Sequence, residues 1–591
     1  MVLKQTSIHT SFFPSSKTAT QDATTDPSGN VDVAGPAAEG EETPRDPSAD
    51  GVKRSGSLKG GEQGNVILVD WDGPDDPLNP LNWSSAKKST ITFLLSIMCL
   101  FIGLATAGFS SGLTDMVDEL NSSAEVGRVG FLVFNGAFAF VPLILGPLSE
   151  FVGSRIVYLV SLFFFVIWFI GIALAPNIAS VLVFRFLSGC SGAAGVTIIP
   201  GTLANMYQTK DRAIPVACFS LVAVLGTVAA PLYCGFIDAA LGWRWIEWVQ
   251  LIANGIVFIL LVIFLRENRG SVLLTNRAKK LRKETGDDRY RSAAELETPS
   301  LKALLYASTV KAAVLLIKEP VVLVFSLWLA YCWALIFASF SLIPIVYGEG
   351  GFGWSSGVVG LSYIGPIIGC FIAFGMSFYW KKLYDDAQRK NNGVAVPEAR
   401  LYGGAFGGVI APIGLLIVSF TSYNYLFWFG PQVGLCLLLI GIYQIFESVQ
   451  AYLSDAYGSN AASAIAGQGF VRNALAASFP LFSTQLFTNL HVWGGGLLLS
   501  CLLIIAIPLP FILIRYGEQI RSRSPYAAGE TGLANVPGAE PSAETEKKGS
   551  ENDIERGMPE SGAQTRVQTP EPAVVKDDEA KPEGHAQVRT E

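Results

Sequence analysis

The chain of 591 residues is 50% hydrophobic and only 15% charged, against about 25% charged in ordinary soluble domains, which excludes a soluble globular protein. The formal net charge of −7 belongs to the tails and a few links. Basic residues cluster at the ends of apolar runs, where lipid headgroups lie, which argues for membrane lipid and against a nucleic-acid partner.

Residues 1–86 are rich in Ser, Thr, Pro, Gly and Asp and read as a disordered N-terminal tail. No cleavable signal peptide is visible, so the first span is expected to act as its own insertion signal. Apolar runs at 91–107, 157–175, 181–199, 248–265 and 495–514 are long enough to cross a bilayer. Hydropathy along the chain predicts spans at 89–111, 128–148, 156–175, 178–206, 214–237 and 246–266, then 320–347, 355–380, 402–421, 425–451, 462–486 and 493–515. The expected fold is therefore an all-α integral membrane protein with twelve transmembrane helices in two six-helix halves. The halves are 87–267 and 320–516. Between them lies a basic central loop, 268–319, and a second disordered tail covers 517–591.

Lys87, Lys88, Arg155, Lys210, Arg212, Lys381, Lys382, Arg389, Lys390, Arg521, Arg523 and the central loop fall on one predicted side. Little beyond Arg128 and Arg244 falls on the other. The positive-inside rule then puts both tails and the loop in the cytoplasm. All eight cysteines lie in apolar segments and read as small hydrophobes, with no disulfide framework and no metal site. His9, His491 and His585 lie outside the spans, and no G-x-x-x-x-G-K-[ST] loop is present, which argues against ATP hydrolysis and against an enzyme. No cofactor is expected beyond a proton gradient, and a monomer is expected.

The links carry the motifs. "GPLSEFVGSR" joins spans two and three with Gly146, Leu148, Glu150, Gly153 and Arg155. It resembles the signature loop of the major facilitator superfamily, with Ser154 and Ile156 departing from the usual basic residue and proline. The resemblance implies a conformational latch in which Glu150 faces a helix N-terminus across the interface between halves, and glycines that let helices turn and approach closely. "RFLSGCSGA" resembles the family's arginine motif, which implies that Arg185 faces a central cavity and assists proton exchange. "GTVAAPLYCGF" is similar to the antiporter motif at Gly226, Pro231 and Gly235. "WDGPDDPLNPLNWS", "GWRWIEW", "VPEARL", "SDAYGSNAASAIAG" and "FPLF" narrow the resemblance to fungal drug:proton antiporters with twelve spans, over residues 68–525.

Proton coupling then needs carboxylates. Glu447 lies well inside a predicted span, whereas Asp238 and Glu247 sit near the outer edge. Burial disfavours the charged form of a carboxyl, which makes Glu447 the expected proton carrier, with Arg472 as a counter-charge. Phe134, Phe138, Tyr331, Trp333, Phe337, Phe340 and Tyr443 form a candidate apolar substrate lining. "NSS" at Asn121 is a glycosylation sequon on the predicted outer side. The expected function is proton-coupled efflux, by alternating access, of a hydrophobic or amphipathic small molecule, a drug or an endogenous secondary metabolite or glycolipid, across the cell membrane. Polyamine or organic-acid export is the alternative transport reading, and a non-transporting sensor with the same fold is the alternative of another class.

Overall fold

The computed structural model describes residues 52–53 and 66–527, apart from 209–210 and 298–300; most of both expected tails, and Lys210, lie outside them. Strands β1 (Val52–Lys53) and β2 (Ile67–Val69) precede α1 (Ser85–Gly108), the short α2 (Leu113–Glu119), α3 (Ala124–Phe140) and α4 (Pro142–Val152). Then come α5 (Ser154–Ala173), α6 (Ile178–Thr197), α7 (Ile199–Met206), α8 (Ala213–Leu241) and α9 (Trp243–Phe264). The central link holds α10 (Gly270–Thr285), β3 (Tyr290–Ser292), α11 (Ala293–Glu297) and α12 (Leu301–Lys318). The second half runs through α13 (Pro320–Tyr347), α14 (Ser356–Leu361), α15 (Ile364–Lys390) and α16 (Leu401–Thr421). It ends with α17 (Phe429–Tyr457), α18 (Ala461–Asn489), α19 (His491–Ala506) and α20 (Pro508–Ser522).

Local chemistry sets the helix ends. Ser84, Ser123 and Asn177 accept hydrogen bonds from the backbone amides of Lys87, Val126 and Ser180, satisfying N-terminal donors that the helices cannot. Gly153 and Gly242, at φ +107° and +83°, turn the chain between consecutive helices in a conformation that other residues rarely adopt.

Among the described residues, ten helices are long and apolar enough to cross a membrane, or eleven counting the pair α3 and α4, which meets at 45°. The expected twelve is thus not reached by length and composition; α18 is long enough but carries Gln468, Arg472 and Asn473. The helices are inside-out relative to soluble ones. On α9, Glu247, Gln250 and Asn254 are buried while Ile252, Ile256, Ile259 and Ile263 are exposed, as expected for a helix between a polar bundle interior and lipid.

Two seams join the halves. In one, α3 packs on α18; in the other, α8 packs on α14 and α15. Asn473 donates to the Phe138 carbonyl at 2.8 Å, and Phe131 stacks on Phe340 with ring centres 6.1 Å apart. A Cβ on Gly360 would lie 2.6 Å from the Pro231 carbonyl oxygen, and one on Gly235 would lie 3.0 Å from that of Ser356. The small residues therefore let backbone meet backbone.

One end of the bundle gathers the chain's links. Helix α12 packs on α4 of the first half and α18 of the second. Strand β2 pairs in parallel with β3, Ile67 opposite Tyr290. Asp72 and Asp76 bind Arg277, and Asp76 caps its own turn through the Leu78 amide at 2.8 Å. Residues 66–84 thus depart from the disorder expected up to residue 86, because the central link supplies the hydrogen-bonding edge and the cation that this polar stretch lacks alone.

Candidate functional site

Each half buries an arginine between aromatic rings. Arg185 of α6 is 0% exposed. Its guanidinium lies 4.3 Å from the Phe109 ring centre and 4.4 Å from that of Phe134. It donates to the Ala105 carbonyl of α1 at 3.0 Å and reaches that of Thr106 at 3.5 Å. Arg472 of α18 is 8% exposed and lies 4.8 Å from Trp333 and 5.5 Å from Phe446. A charge inside an apolar bundle is costly unless rings, dipoles or counter-charges meet it. Both arginines have the rings. Arg185 adds two carbonyls and, within electrostatic reach, the carboxyl of Glu247; among the described residues, no acid plays that part for Arg472.

Glu447 is not beside Arg472. Its carboxylate takes a hydrogen bond from Ser377 of α15, and its electrostatic partner is Arg400, itself 2.8 Å from Asp455. Arg472, which matches a family arginine, is expected as the counter-charge of Glu447, but packing turns the two to different partners. Glu247, expected near an edge, lies one turn into α9 and is buried there at 4% exposure.

The expected substrate residues divide. Phe134 holds Arg185 and Trp333 holds Arg472. Phe138, Phe340 and the Tyr443 hydroxyl, 3.4 Å from the Ala217 carbonyl, meet the opposite half. Phe337 packs edge-on against Phe340 at 5.5 Å. Tyr331 departs from the set: its hydroxyl donates to the Leu499 carbonyl at 2.7 Å, which ties α13 to α19 within the second half. Two narrow gaps within single halves, one lined by Met98, Tyr158, Phe165 and Ser191 and the other by Leu342, Tyr347 and Leu435, leave no room for a water molecule.

The loop at 146–155 is built differently from its expected latch. Glu150 is 51% exposed and pairs at 2.7 Å with Arg269 of the central link, just before α10. The negative charge at the N-terminus of α5 comes from Glu267, which accepts from the Ser154 and Arg155 amides at 3.2 and 3.0 Å. Arg155 reaches the Val262 carbonyl at 3.4 Å. A Cβ on Gly146 would meet nothing within 4 Å, whereas one on Gly153 would sit 2.6 Å from Glu267. Gly226 lies at the crossing of α8 and α1, where its Cβ would be 2.7 Å from the Leu100 carbonyl oxygen. Pro231 lies within α8. Asn121 is exposed, at φ +50°, just past α2.

Sequence reasoning missed a polar ladder on α9. Gln250 donates to the Tyr233 hydroxyl at 2.6 Å, and Asn254 donates to Gln250 at 3.2 Å. The signal was present: Glu247, Gln250 and Asn254 recur at i, i+3 and i+7, one helical face of an otherwise apolar span.

Comparison with known proteins places this arrangement in a wider group. The family model described as Major Facilitator Superfamily matches residues 93–481. The "MFS-type efflux pump MFS2" of Trichophyton rubrum is 33% identical over 469 residues, covering 79% of this chain and 78% of that protein. "Efflux pump radE" of Floropilus chiversii is 34% identical, covering 78% and 86%. "Multidrug transporter TPO1_2" of Candida glabrata is 31% identical, covering 78% and 79%. Among solved structures, a POT family transporter in complex with 5-aminolevulinic acid aligns with a TM-score of 0.53 at 11% identity, covering 73% of this chain and 96% of that one. That likeness is one of fold.

Proposed function

The chain belongs to the major facilitator superfamily, and from that premise we propose that it is a proton-driven exporter of hydrophobic or amphipathic small molecules. The proposed cargo is a drug, or a secondary metabolite or glycolipid made by the same cell. The proposed location is the cell membrane, with both ends of the chain and the central link in the cytoplasm, supported by the basic residues at the link-bearing end of the bundle. Efflux as the direction is supported by the relatives' names.

The observation that carries the coupling is Arg185: a guanidinium at zero exposure in a membrane helix, held by α1 and two rings. Ionisable side chains inside a membrane bundle mark ion pathways and proton relays. Alternating access then follows as rocking of the halves about the α3–α18 and α8–α14 seams. Protons entering down their gradient neutralise a buried acid, Glu447 on the sequence reading, and drive release outward.

The test uses the full chain in sealed lipid vesicles, an imposed pH gradient and rhodamine 6G as the probe. The parent is expected to accumulate dye with the gradient. Arg185→Ala should insert and fold but lose that accumulation; undiminished accumulation by the variant removes Arg185 from the coupling.

A second reading, export of an organic anion, is favoured by Arg472, a buried cation with rings but, among the described residues, no acid beside it. Benzoate competing with dye in the parent but not in Arg472→Met would support it.

A further inference from the structure

Among the described residues, Glu247 and Asp238 are buried acids with an oxygen that lacks a hydrogen-bond partner, and of the two Glu247 is the one that faces an arginine. Neither of its carboxyl oxygens accepts a hydrogen bond among the described residues, and Oε2 is sealed from solvent. Arg185, the charge it faces, also has an Nε without a partner. An ionised carboxylate in that setting would be a desolvated charge without hydrogen bonds, which costs far more than a neutral carboxyl. Glu447, by contrast, already holds Ser377.

The groups around Glu247 leave it to Arg185. On α8, Tyr233 accepts from Gln250, Cys234 is a buried thiol, and Asp238 faces Asp115 of α2. On α9 itself, Arg244 is bound to Glu119 at 3.0 Å. The charged residues of α1 and α5, Lys87, Lys88 and Arg155, lie at the opposite ends of those helices.

We infer that Glu247 carries the transported proton, neutral in the arrangement seen here and ionised when the Arg185 guanidinium swings onto its carboxylate. In that step the carboxyl O–H bond breaks towards water, and the pair passes from one net positive charge to none. Swinging the planar guanidinium onto the carboxylate withdraws its two terminal nitrogens from the Ala105 and Thr106 carbonyls. Deprotonation therefore loosens α6 from α1, and reprotonation restores the contact. The two orphaned atoms, the Glu247 Oε2 and the Arg185 Nε, become partners in the second state. Proton occupancy is thereby converted into helix packing, as a two-state element requires.

The transport role rests on the exporter reading; the proton site itself does not. Infrared difference spectra between acid and alkaline pH, taken on the full chain in lipid, should contain a carboxyl C=O band that Glu247→Gln removes. Glu125→Gln, an acid 65% exposed on α3, should leave the band in place. A band unchanged in Glu247→Gln overturns the inference.

In sealed vesicles, Glu247→Gln should still exchange rhodamine 6G without a gradient but lose gradient-driven accumulation; retained accumulation with the parent's pH profile overturns the role. If the Gln variant does not fold, Glu247→Asp keeps a carboxyl on a shorter stem. A displaced pH midpoint of the band supports the site, and an identical midpoint overturns it. Should the parent accumulate no dye, the exporter reading fails while the infrared measurement still decides the proton site.

Discussion

The two halves bury the same cation and support it differently. Among the described residues, Arg185 of the first is tied to α1 by carbonyls and faces Glu247, whereas Arg472 of the second has Trp333 and Phe446 and no carboxylate. Among the same residues the acids differ in the opposite sense: Glu447 takes the Ser377 hydroxyl, while Glu247 takes no hydrogen bond. At the link-bearing end, Glu267 beyond α9 caps α5, whereas Arg521 of α20 pairs with Glu398 at 2.8 Å. A shared architecture thus holds its two buried arginines by different means, carbonyls and rings in the first half and rings in the second.

The largest effect expected from this contrast comes from removing each arginine. Arg185→Met should abolish gradient-driven dye accumulation and destabilise the protein by about 1.5–3 kcal/mol for each charged hydrogen bond lost to α1. Arg472→Met loses ring contacts worth about 2 kcal/mol when desolvated but, among the described residues, no hydrogen bond, and it removes the cost of burying a lone charge, so its net loss should be smaller. Thermal unfolding of the two variants in one detergent checks the asymmetry; equal losses would break it.

Crowding comes next. Gly226→Val should destabilise by about 1–3 kcal/mol, the usual range for overpacking, because α1 backbone occupies the space its Cβ needs. Gly146→Ala has open space in the middle of α4 and should instead gain about 0.5–1 kcal/mol. Melting curves that shift the same way for both would show that the glycines of the signature loop and of α8 are not doing different jobs.

Smaller again, Glu267→Ala removes the acceptor at the start of α5 and should cost about 0.5–2 kcal/mol, as loss of a helix cap does. Hydrogen exchange should speed up at the Ser154 and Arg155 amides. Unchanged exchange there would mean that Glu150 supplies the cap after all.

The smallest effect is electrostatic and lies at the other end. The Trp243 indole, donating at 2.6 Å, and Arg244 hold the Glu119 carboxyl below the usual 4.5 of a glutamate. A depressed carboxyl stabilises the fold above its unfolded value and loses that contribution as pH falls through its folded one. Trp243→Phe should therefore narrow the gap between melting temperatures at neutral pH and below about 4, because the parent has more to lose in acid. A gap equal to the parent's would assign no role to the indole.

Arg185 was legible in the sequence because a charge interrupts an apolar run, and no packing knowledge is needed to see that it must be accommodated. Glu247 was not, because Trp243, Arg244 and Trp245 beside it resemble the rim of a membrane, and only the turn of α9 shows that its face points inward. Tyr331 looked like substrate lining for the same reason that Phe340 did, and its bond to α19 depends on a helix far along the chain. Glu150 carried a recognisable motif, yet its partner, Arg269, sits in a link whose course no local pattern specifies.

By itself the sequence determined a membrane protein of two helical sets joined by a basic link, and which few charges lie inside it. Hydropathy is summed over adjacent residues, so it needs no knowledge of what packs against them. The tertiary structure alone decided which acid faces which arginine and which glycines touch backbone. A desolvated charge is answered by whatever group lies within a few ångströms in space, and that neighbour comes from another helix.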